Sequence, residues 1–272
     1  MFGLIPIFVR YGANATAIQL VFFRSFFGTI SIFIIAYLSG NRIKKITSNR
    51  FKIICWAFIL LLAITSYFIS LKHIDIASAV LLLNLSSSFV ILFSHFWLHE
   101  KIHGHTMVSL LLSLVGTILI VSPTGFNFGG NAVGYLFAIS AAFWTGLNFV
   151  FPKKYLKEHD PYTLTFYQTL WQLPFLLPFI FLNPIDVSVK TIYIFISLGL
   201  FCSAFAFLFI YKGSKNTSTQ YIGILQTSES IIPIILGAIL FLEIPSSRVI
   251  VGGFLLIIGY LIILLKSASS KV

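Results

Sequence analysis

Apolar residues along this chain fall in long blocks, with neither the alternation of a half-buried strand nor the one-sided stripe of an amphipathic helix. The blocks lie near 1–10, 18–38, 53–71, 77–98, 106–121, 133–151, 162–182, 191–210, 221–242 and 249–265. Most approach the roughly 20 residues that a helix needs to cross a hydrocarbon core. Short polar breakers separate them, among them Ser122-Pro123-Thr124-Gly125, Asn183-Pro184 and Pro245-Ser246-Ser247. Backbone polar groups in lipid must be paired within the segment, and nothing here alternates as a barrel strand would, so the blocks predict α-helices. The expected fold class is therefore an all-α polytopic membrane protein with about ten transmembrane helices.

Composition narrows the function classes. Charged residues make up 9% of the 272 and hydrophobic ones 58%, against about 25% charged in a soluble domain. The seven acidic residues leave little material for metal-dependent hydrolysis. Diphosphate-transfer chemistry would need clustered acids, and the nearest pair is Glu158 and Asp160 beside lysines. No Walker-type glycine loop is present, and no enzyme activity or cofactor is expected. The net charge of +11 does not read as a nucleic-acid face, because the basic residues sit between apolar blocks rather than on a soluble surface. They are also asymmetric. Arg42, Lys44, Lys45, Arg50, Lys52, Lys101, Lys153, Lys154, Lys157, Lys212, Lys215, Lys266 and Lys271 fall on one side, and Arg10, Lys72, Lys190 and Arg248 on the other. The positive-inside rule then places both termini in the cytoplasm, in an inner or plasma membrane. Cys55 and Cys202 lie within apolar blocks, so no disulfide framework is expected. Met1 is followed directly by apolar sequence, without the basic region of a cleavable leader.

The chain repeats itself. A shift of 143 aligns Ala63 with Ala206, Lys72 with Lys215, Glu100 with Glu243 and Gly116 with Gly259, without a gap from about Ala63 to Val121. A shift of 144 aligns Leu20 with Leu164 and Phe22 with Phe166. Each copy holds five spans, so the second must be inverted in the membrane, an arrangement typical of secondary transporters. The copies are expected over 1–124 and 130–268. Met1 aligns with Trp144, which leaves the residues matching 132–143 without counterparts and predicts a shortened first helix, or a start recorded too late.

With two inverted five-helix repeats, the chain resembles the drug/metabolite transporter superfamily, and specifically EamA-type permeases. The resemblance is carried by Gly3-Leu4-Ile5-Pro6-Ile7-Phe8-Val9, Phe143-Trp144-Thr145-Gly146-Leu147-Asn148-Phe149, Phe22-Phe23-Arg24, Phe166-Tyr167-Gln168, Leu98-His99-Glu100 and Phe241-Leu242-Glu243. It implies a ten-helix carrier for small metabolites, often amino acids or related compounds, working through a central cavity.

Polar residues at mid-membrane depth are costly, which makes them the candidates for substrate contact. Gln226 and Glu229 lie centrally in the ninth span, and Pro233 removes the N–H that would pair with the Glu229 carbonyl. Asn84 and Ser87 occupy the matched waist of the fourth span. Arg24 is the basic residue lying well inside a span rather than at its edge, with neutral Gln168 as its repeat counterpart. Trp144 and Asn148 share one face of the sixth helix. Hydrogen bonding between helices is the competing role for the serines, and aromatic packing for Trp144. Glu100 and Glu243 end their spans just ahead of the next helix, where capping is expected over gating. Gly134, Ala138, Ala142 and Gly146 form a small-residue stripe that suits close packing. His95, His99, His103 and His105 have metal-like spacing but no Cys or second acid to complete a set, so no metal site is expected.

These features predict a secondary active transporter of an amino acid, amine or related metabolite, acting by alternating access with protons as the candidate coupling ion. A nucleoside-type metabolite such as S-adenosylmethionine is the alternative substrate, and a non-transporting scaffold or receptor the alternative class. Substrate identity, transport direction and oligomeric state are not legible in the sequence.

Overall fold

The computed structural model describes residues 2–12, 14–46, 49–99, 104–121, 131–155, 159–182, 184, 188–214 and 230–269. Apart from short turns and connections they are helical. In chain order the helices are α1 (Phe2–Tyr11), α2 (Ala17–Leu38), α3 (Arg50–His73), α4 (Ile76–Leu98) and α5 (Gly104–Val121). The second half holds α6 (Ala132–Tyr155), α7 (Pro161–Leu170 continued by Leu173–Ile180) and α8 (Val189–Gly199, Leu200–Phe205 and Ala206–Ser214). It ends with α9 (Ile231–Phe241) and α10 (Ser247–Ser269). Among the described residues, five helices are long and apolar enough to cross a membrane, and α1, α5, α9 and α10 contribute shorter apolar stretches. This is the ten-helix architecture that the apolar blocks predict.

Polarity is distributed inside out relative to a soluble protein. Phe33, Leu38, Phe51, Phe96 and Leu136 are exposed, while Arg24, Gln168, Thr169 and Gln172 are fully buried. An outer surface of this kind suits lipid, and the polar groups it hides must then find partners within the bundle.

Matched positions of the two repeats share backbone conformation. Thr16 caps α2 by accepting from the Gln19 N–H at 3.2 Å, and Asp160, 144 residues on, caps α7 by accepting from the Thr163 N–H at 2.9 Å. His99 and Leu242, 143 residues apart, end α4 and α9 in the left-handed region at φ 55° and 56°. Both bond back five residues, to the carbonyls of Ser94 and Gly237. Neither is a residue that favours this conformation, so the shared cap reflects the repeat rather than local preference.

Small residues set the closest helix contacts. α5 and α10 meet backbone to backbone, where a Cβ on Gly116 or Gly252 would stand 2.6 Å from the other's carbonyl oxygen. A Cβ on Gly146 would lie 2.6 Å from the Phe89 Cβ, which brings α6 against α4. With Ala138 and Ala142 fully buried, the small-residue stripe on α6 is a packing face.

Three helices depart from α geometry near mid-length. In α4, the N–H groups of Ser87 and Ser88 reach back three residues, to Asn84 and Leu85 at 3.0 Å, where a polar run replaces good helix formers. α7 breaks at Trp171-Gln172, because Pro174 lacks the N–H that would continue the ladder. The Gln172 side chain partly compensates, donating to the Gln168 carbonyl at 2.9 Å. In α8, Leu200–Phe205 is π-helical, a local widening found often at functional sites.

Candidate functional site

A cavity of about 90 Å³ lies between the repeats, walled by α1 to α4 of the first and by α6, α8 and α9 of the second. Most of its wall is apolar, from Phe2, Ile5, Leu60, Ile64, Phe149 and Phe207. Set into it are Arg24, Asn84, Thr145, Asn148 and Ser230, with Pro233 alongside. An apolar cavity with a few placed polar groups is the usual form of a small-molecule site, and the repeat interface is where carriers of inverted-repeat architecture keep theirs.

Arg24, two turns into α2, is fully buried. Its Nη2 donates to the Cys202 carbonyl at 2.8 Å, across to the π-helical stretch of α8. Its guanidinium carbon stands 5.6 Å from the centre of the Phe207 ring. Nε and Nη1 meet no hydrogen-bond partner among the described residues. Its repeat counterpart Gln168 is fully engaged by contrast, donating to the Asn148 Oδ1 at 2.9 Å and accepting from the Tyr211 hydroxyl. Asn148 also takes the Trp56 indole N–H on its backbone carbonyl at 3.1 Å. On the facing wall, the Ser230 hydroxyl donates to the Asn84 Oδ1 at 2.8 Å and joins α9 to the break in α4.

A second set of buried polar contacts runs between α2 and α7. Ser25 donates to the Gln172 Oε1 at 2.8 Å, and Thr29 to the Thr169 hydroxyl at 2.9 Å. These residues repeat at helical spacing on both partners, a signal available in the sequence that single-residue scanning passes over.

At the bundle end nearest the start of α2, charge is compensated. Arg10 of α1 pairs with Glu243, beyond α9, at 2.9 Å and donates to the Ile74 carbonyl at 2.9 Å. The other carboxylate oxygen of Glu243 accepts the Ile76 N–H at 2.7 Å. Glu243 therefore caps α4, 167 residues away, rather than α10, which it precedes. Two faces of one carboxylate thus tie the ends of α1, α4 and α9 together. Tyr11 and Phe241 pack beside them with ring centres 5.2 Å apart.

Of the residues singled out in the sequence, the structure brings Arg24, Asn84, Asn148 and Pro233 to the cavity wall. Ser87 is buried in α4, and Trp144 is half-buried and edge-on to Phe143; neither is among the lining side chains. Glu243 belongs to the end cluster. Gln226, Glu229 and Glu100 lie outside the described residues. Phe2, Tyr67, Thr145, Phe207 and Ser230 also line the cavity. Ser230 sits in the polar stretch of the ninth span and Thr145 beside Trp144, but nothing nearby in the sequence marks Phe2, Tyr67 or Phe207, whose membership depends on how distant helices cross.

Comparison with known proteins agrees with this architecture. The sequence profile of the EamA-like transporter family matches residues 1–122 and 132–265. An uncharacterized transporter of Archaeoglobus fulgidus is 25% identical over 96% of this chain and 92% of its own. The pseudopaline exporter CntI of Pseudomonas aeruginosa PAO1 is 26% identical over 91% of this chain and 86% of its own. A solved crystal structure, 17% identical, superposes with a TM-score of 0.76 over all of this chain and 95% of that one; at that identity the likeness concerns the fold.

Proposed function

We propose that this chain, which belongs to the EamA-like transporter family, is a secondary carrier that moves a small metabolite through the cavity between its repeats. The observation that supports this most directly is the cavity itself, apolar-walled and bounded by both repeats, with Arg24, Asn84 and Asn148 turned to it. A carrier of inverted-repeat design needs its site where the two halves can rock about it. By the basic-residue bias, both termini face the cytoplasm of the inner or plasma membrane, and the Arg10–Glu243 cluster lies on the outer side.

Alternating access follows from the repeat register. Glu243 holds the outer ends of α1, α4 and α9 together through Arg10 and the Ile76 N–H. The same register matches Arg10 with Lys153, Glu243 with Glu100, and Ile76 with Thr219. The outer contact is the one that parts as access alternates. Substrate is an amino acid, amine or related compound, with protons as the candidate coupling ion and Glu229 as the group to carry them. Energy comes from the solute or ion gradient.

Accessibility tests this reading. With Cys55 and Cys202 replaced by alanine, a single cysteine at Thr145 would be probed with membrane-impermeant thiol reagents on sealed vesicles of known orientation. The carrier reading expects labelling from each face, with Glu243→Gln shifting the balance towards the outer face. Labelling from one face alone under every condition would favour a receptor or scaffold.

A further inference from the structure

Arg24 is fully buried, yet only part of its hydrogen-bonding capacity is used. Nη2 is held by the Cys202 carbonyl at 2.8 Å and the guanidinium stands beside the Phe207 ring, while Nε and Nη1 meet no partner among the described residues. Buried donors are almost always satisfied, and a charge at membrane depth more so. Gln168, the repeat counterpart, obeys that rule with both side-chain atoms engaged. Arg24 departs from it at the wall of a cavity. A contact that clamps one nitrogen and leaves two others without a partner among the described residues holds the guanidinium in place without completing it.

We propose that Arg24 completes its coordination with the substrate, and that the solute class is a small monocarboxylate with an apolar body. This deepens the carrier reading and rests on it. A guanidinium presents paired N–H donors that match the two oxygens of a carboxylate, a geometry that a lysine ammonium lacks. Arg24 is the one charged side chain among the cavity's described walls. As a single guanidinium it matches a single carboxylate group. The remainder of the wall, with Leu60, Ile64, Phe149 and Phe207, offers an apolar body a dry surface. An apolar α-amino acid fits the description, and so does a short aryl or alkyl acid.

The test compares matched ligands on the full purified chain in lipid nanodiscs, by thermal unfolding and by titration. The probes are L-phenylalanine, L-leucine and 3-phenylpropionate, each beside its neutral amide, with phenethylamine as the decarboxylated control. Wild type is expected to bind at least one acid tenfold or more tightly than its amide. Arg24→Gln, which installs the residue of the other repeat, should bring acid and amide to within threefold of each other while leaving the unliganded protein folded. Arg24→Lys should retain part of the preference. The assignment is overturned if no acid outbinds its amide on wild type, or if the ratio persists in Arg24→Gln. It is also overturned if Arg24→Gln and Glu229→Gln destabilise the unliganded protein equally and non-additively, because Arg24 then belongs to an internal ion pair. Failure here is separable from failure of the carrier reading. Flux of a neutral or cationic solute by a carboxylate-indifferent protein removes only the monocarboxylate assignment. Acid binding with cavity labelling from one face alone removes the carrier.

Discussion

Two arginines of the first repeat meet opposite treatment. Arg10, at the end of α1, has a carboxylate at 2.9 Å and a carbonyl at 2.9 Å, and its partner Glu243 is shared with the helix terminus at Ile76. Arg24, in α2, has one carbonyl, one aromatic ring and a cavity. The first arrangement uses charge to join helix ends, where partial exposure of Arg10 and Glu243, 26% and 20%, limits the desolvation cost. The second keeps a charge where desolvation is most costly and leaves donors unfilled. Stability alone does not explain such a placement; the solute contact proposed for Arg24 would.

The largest effect separating the two should come from the outer cluster. Arg10→Gln or Glu243→Gln alone leaves a charged partner behind, at a cost of about 2–3 kcal/mol. The double variant should recover part of that loss. A double-mutant cycle on thermal or denaturant unfolding in micelles measures the coupling, expected at about 1–3 kcal/mol. Additive losses would mean that the pair does not hold the helix ends.

Arg24→Gln sharpens the contrast, because its effect on the unliganded protein should be near zero or slightly stabilising. Removing an incompletely paired buried charge offsets the loss of the bond to Cys202, which a glutamine amide can partly replace. Unfolding temperatures of wild type and variant, measured without solute, check this. A loss of about 3 kcal/mol or more, the size expected when a buried pair is broken, would return Arg24 to a structural role.

Gln168→Leu should lower stability by about 1–2 kcal/mol, since it strands the Asn148 Oδ1 and the Tyr211 hydroxyl. Thr29→Val removes one hydroxyl bond to Thr169 and should cost about 0.6 kcal/mol, the average for such contacts in membrane bundles. If these neutral contacts outweighed the Arg10–Glu243 coupling, the polar seam between α2 and α7 would be the chief tie between the repeats.

Much of the architecture is legible in the chain because lipid imposes simple rules. Apolar block length locates the helices, and the shift of 143 to 144 relates the caps that the structure shows at Thr16 and Asp160, and at His99 and Leu242. Arg24 stands out as the basic residue within a span. What the sequence hides is anything set by how distant helices cross. Glu243 precedes α10 but caps α4. Phe207 and Tyr67 look like ordinary filling until the bundle turns them to the cavity. The π-helical stretch at Leu200–Phe205 has no composition to mark it; it begins just after the close approach of α8 to α2, where a Cβ on Gly199 would stand 2.5 Å from the Phe27 Cβ.

The central claim is that this chain alone carries a solute through the cavity beside Arg24. Counterflow measures it most directly, with the purified protein in sealed proteoliposomes, no nucleotide present, and vesicles preloaded with unlabelled amino acids, amines or nucleosides. The account predicts saturable, transient accumulation of the matching labelled solute, strongest for a small monocarboxylate and abolished for it by Arg24→Gln. Folded, correctly inserted protein that accumulates none of these classes above protein-free vesicles would contradict it.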